Sequence, residues 1–131
     1  MKEMNGIKTI LVTGVTGYVG GRLVPRLLQA GYQVRVMLRG NTARLDGRSW
    51  KDQVDIAIGD VLVPETLSAA MEGIDAAYYL IHSMGGHNGF SERDIQAATH
   101  FAAAAAGASV KNIIYLGGLG DPESNVSEHW R

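Results

Sequence analysis

The chain has 131 residues, 46% of them apolar and 19% charged, with a formal net charge of -1 and no cysteine. That length suits one domain around one hydrophobic core, and the composition is that of a globular protein rather than a disordered or membrane one. The basic residues form no run that would neutralise a duplex, so nucleic acid is not an expected partner; the lack of cysteine excludes disulfides, thiolate zinc sites and a cysteine nucleophile.

The first six residues lack the apolar core of a signal peptide, and no apolar stretch approaches the length of a membrane span, so a cytoplasmic location with no membrane partner is expected. Residues 7–12 form an apolar, β-branched run that reads as a buried strand and is closed by Thr13 and Gly14. From residue 18 to residue 30, Val19, Leu23, Leu27 and Leu28 recur at three- and four-residue spacing, and Gly31 is a natural helix stop. Pro25 inside this segment removes a backbone donor and predicts a kink unless the bend is accommodated.

Further strands are predicted at residues 33–38, 54–59, 76–81 and 112–116, all mostly apolar on both faces, as in parallel sheets covered by helices. Pro64 opens a helix reaching to about Glu72, with proline in the favoured first turn. Residues 91–94 have the form of a capping box, with aspartate in place of glutamate or glutamine, and the helix they open contains five consecutive alanines, Ala102 to Ala106. Either these small side chains let the helix lie close to a sheet or partner helix, or they simply favour helix at the surface. The crossover at residues 39–53 is the least regular. Alternating strands and helices with right-handed crossovers predict one doubly wound α/β domain over residues 1–131.

The stretch "TGVTGYVGG" is then the first strand-to-helix turn, where such folds bind phosphates. Gly14, Gly17 and Gly20 follow a Gly-x-x-Gly-x-x-Gly spacing. Gly14 suits a tight turn, Gly17 a close approach of backbone to a pyrophosphate, and Gly20 close packing of helix on strand, with the anion on the free amides at the positive end of the helix. The second strand ends at Arg39, where an acid would hydrogen-bond a ribose 2′-hydroxyl. A guanidinium there bonds a 2′-phosphate instead, which favours NADP, with NAD as the alternative. Arg44 and Arg48 either join it or are solvated, and Arg22 either faces the phosphates or caps a carboxylate elsewhere.

At the end of the third strand Asp60 is placed to accept from an adenine amine and Val61 to cover its ring; the alternative is that Asp60 only caps the turn towards Pro64. Ile81, His82 and Ser83 end the fourth strand at the same crevice, near the nicotinamide ribose. The loop "SMGGHNGF" that follows is either a lid or a surface turn. His82, His87, His100 and His129 show no metal-ligand spacing, and no Gly-x-Ser-x-Gly elbow is present, so neither a metal site nor a hydrolase is expected.

Together "LVTGVTGYVGGRLVPRLLQAGYQVRVMLR", "GDV", "GIDAAYYLIHSMG" and "VKNIIYLGGLGD" resemble the atypical short-chain dehydrogenase/reductase superfamily, near its nucleoside-diphosphate-sugar epimerases and NmrA-like proteins. The resemblance implies a Rossmann-type three-layer αβα sheet of order 3-2-1-4-5. It also implies dinucleotide binding by Gly14, Thr16, Gly17, Tyr18, Val19, Gly20, Arg39, Asp60 and the His82-Ser83 region, and a small-molecule substrate. Active members use a tyrosine with a lysine four positions later. Here Tyr18, Tyr32, Tyr78, Tyr79 and Tyr115 are followed at that distance by Arg22, Val36, His82, Ser83 and Leu119. His82 and Tyr115 are the only substitutes by position, so the catalytic residues stay unassigned.

The family resemblance places these residues in its cofactor-binding part, ahead of the helix that carries the Tyr/Lys pair. The readings left open are an NADP-dependent oxidoreductase or epimerase, a non-catalytic NADP(H) sensor or regulatory module, and a structural fragment with a vestigial site. In the family a sixth strand pairs with the fifth; without it the apolar edge at residues 112–116 invites another chain. Self-association is therefore expected, and light scattering at high protein concentration checks it: a clean monomer of ordinary thermal stability contradicts the expectation.

Overall fold

A computed structural model describes residues 6–81 and 92–115. Its elements in chain order are β1 (Thr9–Thr13), α1 (Tyr18–Gln29), β2 (Gln33–Leu38), β3 (Asp55–Ile58), α2 (Leu67–Met71), β4 (Ala76–Tyr79), α3 (Glu92–Gly107) and β5 (Asn112–Tyr115). The five strands form one parallel sheet in the order β3-β2-β1-β4-β5. The expected doubly wound sheet and its strand order are what the chain adopts.

Alternation along the strands builds the three layers. Ile10 and Val12 of β1 join Val34 and Val36 of β2 in a core under α1, where Val24 and Leu27 meet them. Leu11, Met37, Ala77 and Tyr79 point the other way, into a second core closed by Leu67 and Met71 of α2 and by Ala97, Phe101 and Ala105 of α3. Ala105 is buried while Ala103 and Ala106 are exposed, so the alanine run serves both close packing and helix propensity. Only the three central strands are buried on both faces: β3 and β5, at the two edges, are half-exposed, which corrects the expectation of apolar burial throughout. Among the described residues β5 pairs with β4 alone.

Local chemistry sets the boundaries. α1 runs continuously through Pro25 and ends before Gly31, whose φ of +97° suits only glycine without strain. The expected helix at residues 64–72 is a single 3-10 turn at Pro64–Thr66 followed by the short α2. The irregular crossover consists of 3-10 turns at Thr42–Leu45 and Lys51–Gln53, anchored in the first core by Leu45 and Trp50. The expected capping box lies partly outside the described residues at Ser91, as does the end of the fifth strand at Leu116.

Two polar ties hold the layers in register. Arg35 faces Asp55 across the β2–β3 pair and bonds its carboxylate at 2.8 Å, while its guanidinium also donates to the carbonyls of Ala70 and Glu72 at the end of α2. Asp75 accepts from the amides of Lys8 and Thr9 at 2.9 and 3.0 Å, joining the start of β1 to the start of β4. These amide bonds, Thr9's first, hold the Asp75 carboxyl below its ordinary value of 3.8, with help from the charges of Lys111 and Lys8. A depressed folded pKa stabilises the fold above that ordinary value and ceases to do so as pH falls through the folded one. Asp75→Asn is therefore expected to lower the urea midpoint at pH 7, with the gap to wild type closing as pH falls below 3.8. Urea titrations across that range check it.

Candidate dinucleotide site

The site forms where the chain leaves the sheet. β1 and β4 are neighbours, and the chain leaves β1 through α1 towards β2 but leaves β4 towards α3 and β5 on the other side, so a crevice opens at the carboxyl ends of these strands. A cleft of about 520 Å³ occupies it, lined by residues 14–17, 37–41, Arg44, 59–61, Leu80 and Ile81.

The glycine turn makes one wall. Gly14 has a φ of +76°, and a Cβ there would sit 2.8 Å from the carbonyl oxygen of Leu80. A Cβ on Gly20 would be driven into the carbonyl of Gly14 and the backbone of Val15. Gly20 therefore allows close packing, as expected, but against the turn itself and not the strand. Gly17 is the N-cap of α1, and among the described residues a Cβ there would meet only Gly14 O, at 3.4 Å. Among the described residues no side chain caps α1, and its first turn carries no acid. Its terminal amides and dipole thus suit an anion lying over Gly17, which is what a pyrophosphate requires.

The strand ends supply the rest. Arg39 and Arg44 line the cleft, both exposed, with Asn41 between them capping its own 3-10 turn through the Ala43 amide. Arg48 instead lies against α1: its guanidinium is 3.6 Å from where a Gly21 Cβ would be, and its Nε is buried without a hydrogen-bond partner among the described residues. Among the described residues Arg22 neither lines the cleft nor meets a carboxylate; it stacks on the exposed Tyr18 ring at 4.3 Å.

Asp60 does cap its turn, accepting from the Leu62 amide at 2.9 Å, and it also lines the cleft, so the two alternatives for it are compatible. Val61 is buried beneath the same wall. Thr16 and Ile81 reach the cleft; Tyr18, Val19 and Gly20 do not line it. His82 and Ser83, the following loop, His87 and His129 lie outside the described residues.

Sequence reasoning missed Thr13. Fully buried, its hydroxyl donates to the Tyr78 carbonyl at 3.0 Å and accepts from the Leu80 amide at 3.3 Å, where strands β1 and β4 part. A hydroxyl at the end of an otherwise apolar run was the available signal. Tyr115 lies away from the cleft lining, edge-on to Tyr79 at 5.6 Å, and burial raises its hydroxyl pKa. Burial, with the nearby Tyr115 and Asp94, pushes Tyr79 up to about 12. These shifts run opposite to what a proton donor near neutrality needs, so the geometry does not support Tyr115 as the substitute acid. Among the described residues no cluster of metal-ligating side chains occurs, and no helix is long and apolar enough to cross a membrane.

A family model described as NAD(P)H-binding matches residues 14–131. Sterol demethylase protein B of Methylococcus capsulatus is 28% identical over 93% of this chain and 39% of its own length. Cinnamoyl-CoA reductase 1 of Arabidopsis thaliana is 29% identical over 92% of this chain and 39% of its own. The chain thus spans about two-fifths of these curated relatives. Among solved structures, the triphenylmethane reductase of Citrobacter sp., complexed with NADP(H), superposes with a TM-score of 0.65 at 26% identity, covering 82% of this chain and 36% of that one. A nucleoside-diphosphate-sugar epimerase from Staphylococcus aureus shares the fold with a TM-score of 0.72 at 22% identity, covering 93% of this chain and 43% of that one.

The turn is the test of the geometry. Gly20→Ala is expected to cost about 1–3 kcal/mol by overpacking against backbone that cannot move aside. Gly107→Ala, where a Cβ meets none of the described residues within 4 Å, is expected to be neutral or to raise the melting temperature. Thermal unfolding of both variants measures the contrast.

Proposed function

Because the chain belongs to the NAD(P)H-binding family, we propose that the cleft takes NADP(H), with the chain serving as the cofactor-binding part of an oxidoreductase or epimerase of the short-chain type. The observation that carries this is the pairing of two walls: an uncapped helix terminus over Gly17, and the exposed guanidinium of Arg39 at the end of β2. The first suits a pyrophosphate, which every dinucleotide has. The second suits a 2′-phosphate, which only NADP(H) has.

In this reading the amides at the start of α1 hold the pyrophosphate, Arg39 bonds the 2′-phosphate with Arg44 adding charge, and Asp60 and Val61 flank the adenine. Ile81 begins the stretch that passes the nicotinamide ribose, continued by His82 and Ser83. When bound, the cofactor supplies hydride-transfer chemistry; the protein supplies position and electrostatics. A small organic substrate would come from the chemistry of relatives such as the reductases, and a soluble, cytoplasmic setting follows from the sequence reading.

A non-catalytic NADP(H)-binding module is the second reading. It is favoured by one observation: Tyr115, the described substitute, lies off the cleft. Binding without turnover of carbonyl substrates selects it.

Calorimetric titration with NADPH and NADH tests the cofactor. NADPH is expected to bind at least about tenfold more tightly, a difference of about 1.4 kcal/mol, and Arg39→Ala to remove most of that preference while sparing NADH. Equal affinities in the wild type would contradict the role given to Arg39.

A further inference from the structure

We propose that His100 is a positioning residue for the adenine half of the cleft, holding the wall at residues 59–63 from α3. The inference rests on the reading of the cleft as a dinucleotide site.

That wall is a turn whose backbone is held mainly from within. The Gly59 amide donates to Leu38 O at 2.8 Å, Asp60 N to the Thr66 hydroxyl at 2.8 Å, Leu62 N to the Asp60 side chain at 2.9 Å, and Val63 N to Asp60 O at 2.8 Å. The Thr66 hydroxyl in turn donates to Asp60 O and Val63 O. All of these bonds lie within residues 38–66, and none of them reaches the carbonyl of Val61. That carbonyl is met instead by Nδ1 of His100, on α3, at 2.7 Å and 39 residues further along the chain.

The chemistry of the contact is one-sided. A carbonyl oxygen only accepts, so Nδ1 must be the donor and carry a proton. Neighbouring inward residues of α3, Ala97 and Phe101, have no donor to offer in its place. Val61 both lines the cleft and packs in the core beneath α2 and α3, so a carbonyl fixed by His100 fixes the surface a base would lie on. Without that bond the part-buried carbonyl loses the partner that the described residues give it, and the wall loses its tie to α3. His100 touches neither cofactor nor substrate in this scheme; it acts through Val61.

The full chain is titrated with NADPH, with 2′,5′-ADP for the adenine half and with reduced nicotinamide mononucleotide for the other, in wild type, His100→Leu, His100→Ala and His100→Asn. The leucine and alanine variants are expected to weaken NADPH and 2′,5′-ADP by the same factor, about fivefold or more, and to leave the mononucleotide within about twofold. Asparagine, which keeps a donor, is expected to recover most of the loss. An equal loss for both halves, no loss, or no recovery by asparagine overturns the inference. Amide exchange at residues 60–63 of the unliganded chain decides the positioning role separately. Exchange is expected to quicken in the leucine and alanine variants and return in the asparagine one, and unchanged exchange also overturns the role. Failure of the wild type to bind NADPH or 2′,5′-ADP would sink the cofactor reading itself.

Discussion

The seating of α1 against the turn that feeds it is the constraint on which the rest of the structure depends. The helix can start where it does only because residues 14 and 20 lack side chains: a Cβ on either would meet backbone carbonyls that have no room to retreat. That seating directs the uncapped terminus of α1 into the crevice between the strand ends. It also lays Val24 and Leu27 on Ile10, Val12, Val34 and Val36, so one close backbone approach sets both the open helix terminus and half of the core. Thr13 completes the arrangement. Its hydroxyl takes over from the β1–β4 ladder at the point where the two strands must part, so the crevice opens without leaving the Tyr78 carbonyl and Leu80 amide unpaired.

Charge follows the same plan. The first turn of α1 has no acid to satisfy its dipole, and the crossover beside it brings arginines at 39, 44 and 48. Leu45 and Trp50 hold that crossover in the core, which lets its outer residues stay exposed and polar. Arg48 shows what this costs: pressed against the gap left by Gly21, it buries an Nε that no described residue accepts from. A region selected only for stability would place a carboxylate there. One that must receive a polyanionic ligand gains from keeping the helix end and its surroundings positive.

Most of the fold was legible because period and punctuation agree. β2 was delimited to the residue by its mostly apolar run between Tyr32 and Arg39, and the glycine spacing located the turn between β1 and α1. What was not legible depends on partners far away in sequence. The half-exposed edges at β3 and β5 follow from strand order, which no single strand encodes. Arg22 on Tyr18 is an i,i+4 stacking pair that competed with phosphates and carboxylates as partners, and only coordinates decide between them. Thr13 and His100 are single polar residues in apolar or alanine-rich runs, and their partners lie 65 and 39 positions away.

The same burial that makes this sheet a good scaffold separates binding from proton transfer. Tyr78, Tyr79 and Tyr115 sit on β4 and β5, none of them lining the cleft, and desolvation raises the pKa of each hydroxyl. A tyrosine becomes a useful acid or base only when a neighbouring cation lowers its pKa, and none of these three has lysine four positions on. The cleft, by contrast, needs only backbone amides, glycines and a guanidinium, all of which the described residues bring to one place. Holding a dinucleotide and moving a proton are thus physically separable tasks on this sheet, and the described residues are arranged for the first.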